Sequence, residues 1–97
     1  MITIIYSTHK DKEYNNKFKQ HLLQNVGLKD VEILEFENFN QYSLAEVYNK
    51  GISQSKYNIV CCVHNDIKLS KNWGKELVKD FSNHPDLRRI LTWDNFE

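Results

Sequence analysis

The feature that most constrains the fold is an unbroken apolar run, Ile59 to Val63, within the stretch NIVCCVHNDI at residues 58–67. A strand with one face in water alternates apolar and polar residues, whereas a strand covered on both faces reads as a continuous apolar run. Ile2 to Tyr6 has the same uniform character. We therefore predict strands over residues 2–6 and 57–63 in the interior of a mostly parallel sheet.

Segments of helical periodicity separate the strands. Tyr14, Phe18 and Leu22 recur every four residues, which predicts a helix to about Asn25 with Gly27 as its stop. A second helix is predicted after Ser43, an N-cap whose capping-box partner is Glu46; its apolar stripe is Leu44, Val47, Tyr48 and Ile52. A third is predicted from Trp73, Leu77, Val78 and Phe81, and it ends at Pro85.

These elements alternate along the chain. With VEILEF (31–36) as a second strand and RRILTW as a short last strand, the order is β-α-β-α-β-α-β. Such alternation predicts a three-layer α/β/α, Rossmann-like sheet with helices on its faces. Ninety-seven residues are enough for one domain, residues 1–97.

Charge and cysteine usage exclude several classes of partner. Thirteen basic residues balance thirteen acidic ones, so no global field directs the chain to nucleic acid or anionic lipid. No signal-peptide pattern and no apolar run long enough for a membrane span is present. Cys61 and Cys62 are neighbours that point to opposite faces of a strand. We expect them to be buried, reduced thiols, as in a cytoplasmic protein.

Polar residues follow three predicted strands: Ser7-Thr8-His9, Glu35-Phe36-Glu37 and His64-Asn65-Asp66. Parallel α/β sheets bind ligands beyond the carboxyl ends of their strands. These three groups are therefore the candidate site.

Asp66 is the first candidate for chemistry, because hard cations such as Mg²⁺ or Mn²⁺ prefer oxygen ligands. The alternative is a carboxylate that caps a turn. His64 is either a ligand or base, or a hydrogen-bonded polar group at a strand end. Asn65 either bonds a ligand or completes the turn.

Glu35 and Glu37 could accept hydrogen bonds from ribose hydroxyls, as acidic residues do after a strand in other nucleotide-binding sheets. The alternative is the solvated edge of a strand. Neither a GxxxxGK[ST] phosphate loop nor a GxGxxG fingerprint is present.

Taken together, MITIIYST, YSLAEVYNKGISQSKYNIVCCVHNDI and NWGKELVKDF resemble the amino-terminal, nucleotide-sugar-binding half of family-two-like glycosyltransferases of the GT-A type. The resemblance covers residues 1 to about 86 in order and spacing. It implies a nucleotide-sugar donor, a divalent cation (Mn²⁺ or Mg²⁺) on the donor's diphosphate, and an acceptor hydroxyl.

The resemblance also implies roles for individual residues. Asp66 matches the final acid of the family's Asp-x-Asp metal motif, His64 stands where the first acid often stands, and Asn65 fills the middle. Thr8 matches a position against the nucleotide, and Glu35 or Glu37 the acid that contacts base or ribose. Asn49 matches the Asn of an Asn-x-Gly segment near the nucleotide.

The chain departs from the family in having one clear carboxylate in the metal motif and in ending before the acceptor half and its catalytic base. We therefore expect a truncated relative whose transfer activity is weak or absent alone, with the catalytic residue unassigned. Two alternatives stay open. One is a non-catalytic α/β interaction or regulatory module that self-associates into a homo-oligomer. The other is a receiver-like phosphate-binding module.

Overall fold

The computed structural model describes residues 1–80 and 89–93. Four strands and three helices alternate along this part of the chain. They are β1 (Ile2–Thr8), α1 (Lys12–Val26), β2 (Val31–Glu37), α2 (Leu44–Gln54), β3 (Ile59–Val63), α3 (Trp73–Asp80) and β4 (Arg89–Trp93).

The strands form one parallel sheet in the order β2-β1-β3-β4. α1 and α3 pack on one face of the sheet, where their apolar residues share a core cluster with Ile2, Ile4 and Tyr6. α2 packs on the other face, against Ile5 and Val60. The predicted three-layer, Rossmann-like α/β architecture is confirmed.

The adjacent cysteines divide the core. Cys61 belongs to the cluster on the α1 side, and Cys62 to the cluster on the α2 side. This placement follows from the two-residue repeat of a strand. Both side chains are buried and free of disulfide.

The helix ends follow their sequence signals. Asp11 caps α1 by accepting from the Tyr14 N–H at 2.8 Å, and Gly27 ends the helix with φ 75°. Ser43 and Glu46 form the predicted capping box of α2, which satisfies otherwise unpaired backbone donors.

Element bounds differ from the prediction at several ends. β1 and β2 continue further than predicted, to Thr8 and Glu37, and β3 begins at Ile59 rather than residue 57. Phe81 and Pro85, predicted in and after the third helix, lie outside the described residues.

Candidate functional site

The carboxyl ends of β1, β2 and β3 lie at one edge of the sheet because the strands are parallel and in register. Thr8 is paired with Glu37, and β3 runs beside β1 from Ile59. The sheet order places β1 between β2 and β3. The three polar groups predicted from the sequence therefore share this carboxyl edge.

Thr8 is the centre of a hydrogen-bond network at this edge. Its side chain is only 2% exposed. The hydroxyl donates to Oδ1 of Asn15 at 2.8 Å and accepts from Nδ2 of Asn65 at 2.9 Å and from the Lys10 N–H at 3.1 Å. The structure thus brings Thr8 and Asn65 together, as predicted, but through a direct bond that ties the loop after β3 to the end of β1.

The turn at residues 64–67 folds over the start of α1. The Ile67 N–H donates to the His64 carbonyl at 3.5 Å. The Tyr14 hydroxyl donates to the Asn65 carbonyl at 2.8 Å, and the Leu69 N–H donates to Nε2 of His21 at 3.0 Å. Asp66 is exposed within this turn.

A cleft of about 290 Å³ lies between α1 and this turn, and we call it the α1 cleft. Its walls are mostly apolar, with charged groups around them. They include Tyr14, Lys17, Phe18, Asp66, Ile67 and Lys68.

Glu35 and Glu37, in the last three residues of β2, have different surroundings. Glu35 accepts from the buried Tyr6 hydroxyl at 2.6 Å and lies 3.6 Å from Nζ of Lys19. Burial, and then the hydrogen bond to Glu35, raise the pKa of Tyr6 well above its usual range. Glu35 therefore joins β1, β2 and α1, while Glu37 is exposed at the edge.

A second cleft, of about 230 Å³, begins at Glu37 and runs along the first turns of α2. We call it the α2 cleft. It combines two aromatic rings, two carboxylates and one ammonium group, and Nζ of Lys50 lies 5.9 Å from the Phe36 ring centroid. Its lining residues are Phe36, Glu37, Tyr42, Glu46, Val47 and Lys50.

Of these residues, sequence reasoning selected Glu37 alone as a site residue. Phe36 belongs to the predicted group Glu35-Phe36-Glu37 without a role of its own, and Glu46 is predicted only as a capping residue, which it is. The missed signal is the spacing of Glu46 and Lys50, which places them one turn apart on α2. Tyr42 lies in a loop whose path had no sequence signature.

Asn49 lies on α2 but away from the other candidates. Val47 and Gly51 are buried against the sheet, and Asn49 stands midway between them in sequence. A residue two positions from each lies on the opposite side of a helix, and Asn49 is exposed. The structure does not bring Asn49 beside Thr8 or Asp66.

The donors for a metal are few. Within residues 1–80 and 89–93, no group of three or more His, Cys, Asp or Glu side chains is placed to hold a metal ion. His64 and Asp66 supply one imidazole and one carboxylate, and Asn65 can add only its neutral amide oxygen, because its Nδ2 donates to Thr8. This donor set does not fit a cation held by the protein alone.

The two thiols are unsuited to nucleophilic chemistry. Burial raises the pKa of Cys61 to about 12, with a further contribution from Cys62, and burial raises the pKa of Cys62 to about 11. A nucleophilic cysteine needs access and a lowered pKa. Both side chains are part of the hydrophobic core.

Over the described residues, the fold is that of a Rossmann-like α/β domain, with the α1 cleft and the α2 cleft near the carboxyl edge of its parallel sheet. Comparison with models of protein families, with curated proteins and with solved structures finds no match. In the part of the chain that the structure describes, none of the helices has the length and apolar character to cross a membrane.

Proposed function

We propose that this domain binds a nucleotide-diphosphate sugar at the carboxyl edge of its sheet, as the donor for sugar transfer to an acceptor hydroxyl. The observation that carries the proposal is the α2 cleft, because it gathers groups suited to each part of a nucleotide at the edge where such sheets bind ligands. The resemblance of the sequence to glycosyltransferases supports the same ligand.

The aromatic and acidic groups suit a nucleoside. Phe36 and Tyr42 offer ring faces against which a base can pack. Glu37 and Glu46 are carboxylates, and carboxylate oxygens accept hydrogen bonds from ribose hydroxyls. Glu46 also holds the Ser43 cap, so Glu37 is the better candidate for the ribose.

Lys50 suits the phosphates. Its ammonium lies on the wall of the α2 cleft, over the Phe36 ring. A lysine is a mobile point charge that pairs well with phosphate oxygens. We assign it to the diphosphate.

The turn after β3 contains Asp66, the residue proposed to contact a divalent cation. Asn65 is fixed by its bond to Thr8, which positions exposed Asp66 beside it. Asp66 lines the α1 cleft and not the α2 cleft, so a divalent cation would be held mainly by the donor's diphosphate and water, and Asp66 would supply a carboxylate only if the diphosphate extends across the carboxyl edge. The proposal covers the donor side and assigns no base for the acceptor.

Calorimetric titration tests the donor site. Nucleoside diphosphates and their sugar conjugates, with and without Mg²⁺ or Mn²⁺, are titrated into the wild-type chain and into Lys50→Ala. We expect Lys50→Ala to weaken diphosphate binding about tenfold, or about 1.4 kcal/mol, and to leave binding of the matching nucleoside unchanged. Lys56→Ala is the matched control, since Lys56 follows α2 and lies over Tyr57.

Glu37→Gln completes the experiment. This variant should bind the nucleoside and the nucleoside diphosphate more weakly by the same factor, because both ligands contain the ribose. Absence of heat with every nucleotide, with or without metal, would contradict the proposed function. If Lys50→Ala lost the same affinity for the nucleoside as for the nucleoside diphosphate, Lys50 would not bind the diphosphate as proposed.

A further inference from the structure

We propose that copies of this chain associate through two different surfaces, with the loop at residues 38–44 of one copy seated in the α1 cleft of another. This inference does not depend on the proposed nucleotide site. It follows from the shape, apolar exposure and charge of the two surfaces.

The loop at residues 38–44 displays apolar side chains to water. Phe39 and Tyr42 are each 59% exposed, and Leu44, which ends this segment as the first residue of α2, is 42% exposed. Single exposed apolar residues are ordinary, but a group this close together is typical of an interaction site.

The loop is also held in one conformation. Asn38 anchors it, because its N–H donates to the Thr8 carbonyl at 2.8 Å. The Asn38 side chain donates to the Tyr42 carbonyl at 2.8 Å and accepts from the Tyr42 N–H at 3.1 Å. Asn40 takes the left-handed conformation, with φ 67°. A preorganised loop loses little entropy on binding.

The α1 cleft offers a complementary surface. Phe18 and Ile67 contribute to the apolar core beneath it. Tyr14, on its wall, is 37% exposed. At about 290 Å³ the cleft has room for a side chain such as that of Phe39.

Charge segregation favours a second copy as the occupant. Residues 30–49 contain five acidic residues and no Lys or Arg, whereas residues 10–29 contain five lysines and two acidic residues. Glu37 and Glu46 flank the loop, and Lys17 and Lys68 line the cleft. Lys50 beside the two glutamates and Asp66 beside the two lysines offset part of this charge, and the charges that remain are of opposite sign on the two surfaces, which favours their association.

Two local charges bear on the strength of the contact. Lys17 lies 3.5 Å from Glu13, but both side chains are mostly exposed, so this pair is weak and Lys17 can change partners. Asp66 also lines the cleft and would repel the glutamates that flank the loop, but the two lysines outweigh this single carboxylate.

The first experiment measures mass by sedimentation velocity of the full chain. At about 0.05 M salt we expect species larger than a monomer, and at about 0.5 M salt a smaller average mass, because salt screens exposed charges. Phe39→Ser should reduce association at least tenfold. Leu23→Ser, which removes an apolar residue 50% exposed elsewhere on α1, should leave it unchanged.

The second experiment tests the pairing of the surfaces by exchanging charges. Glu37→Lys and Lys68→Glu should each associate less than the wild type, and a mixture of the two should regain association, because each then meets an opposite charge. A wild-type monomer at every concentration, an unaffected Phe39→Ser variant, or a mixture no stronger than its components would overturn the proposal. Phe39 does not line the α2 cleft, so nucleotide titration of Phe39→Ser tests the proposed function separately.

Discussion

The Thr8 hydroxyl shows how one buried polar atom organises the carboxyl edge. It donates one hydrogen bond to Asn15, in the first turn of α1, and accepts two, from Lys10 before that helix and from Asn65 after β3. Buried polar groups of this kind cost free energy when a partner is lost. The hydroxyl is therefore a fixed part of the framework, and a ligand would meet the surrounding loops rather than Thr8 itself.

Replacing Thr8 by Val tests this role at the scale of one atom. The substitution keeps the shape and leaves the Asn15 carbonyl oxygen and the Asn65 amide without their partner. We expect the free energy of unfolding to fall by about 2–3 kcal/mol, measured by urea denaturation. Thr8→Ser, which keeps the hydroxyl, should lower the free energy of unfolding by less. Equal losses in both variants would show that the methyl group, not the network, accounts for the effect.

At the same scale, the sequence predicted where the polar residues lie but not which of them bond. The position of Thr8 at a strand end follows from the apolar run before it. Its partner Asn65 is 57 positions away, and no local pattern links the two. Likewise, Glu35 and Glu37 look equivalent in sequence, and only the packing of Tyr6 and Lys19 separates their roles.

At the scale of elements, the close packing of α2 on the sheet depends on Gly51. Gly51 faces the sheet so closely that a Cβ there would lie 2.6 Å from Cδ1 of Ile5. Ile5 is fully buried and has little room to move. The helix therefore approaches β1 only because position 51 has no side chain.

Gly51→Ala and Asn49→Ala form a matched pair on this helix. Both improve helix propensity, but Gly51→Ala overpacks the core and should lower the free energy of unfolding by about 1–3 kcal/mol. Asn49→Ala should leave it unchanged or raise it by a few tenths of a kcal/mol. Thermal and urea unfolding measure both. A neutral Gly51→Ala variant would mean that α2 can shift outward at no cost.

Helical periodicity predicted the helices correctly, but it did not predict which residues of their first turns are exposed. Tyr14 and Leu44 were assigned to apolar stripes, yet they are 37% and 42% exposed. Each stands in the first turn of its helix, at the carboxyl edge of the sheet. Periodicity identifies the apolar side of a helix. It does not show which turns of the helix extend beyond the edge of the sheet.

At the scale of the whole molecule, the sheet separates two apolar clusters, and buried titratable groups sit in both. Cys61 and Tyr6 lie on the α1 side and Cys62 on the α2 side. Burial favours the neutral form of each group and raises its pKa. Folding therefore becomes linked to pH on the alkaline side.

The sign of this linkage gives a prediction. Above the ordinary thiol pKa of 9.0 the unfolded chain loses protons that the folded chain retains, up to about 11 for Cys62 and about 12 for Cys61. The free energy of unfolding should fall with rising pH in this window, by up to about 1.4 kcal/mol per pH unit for each thiol. Urea titrations at pH 8 and pH 10 measure the slope. Cys62→Ala should reduce it, and a flat profile in the wild type would contradict the linkage.

The sheet order leaves β2 at one end of the sheet, and its sequence has a consequence for solubility. Glu32, Glu35 and Glu37 occupy three of its seven positions. If two molecules paired along this strand, like charges would face each other across the new ladder, which opposes such pairing. These three carboxylates thus oppose the edge-to-edge pairing of sheets that leads to fibrils.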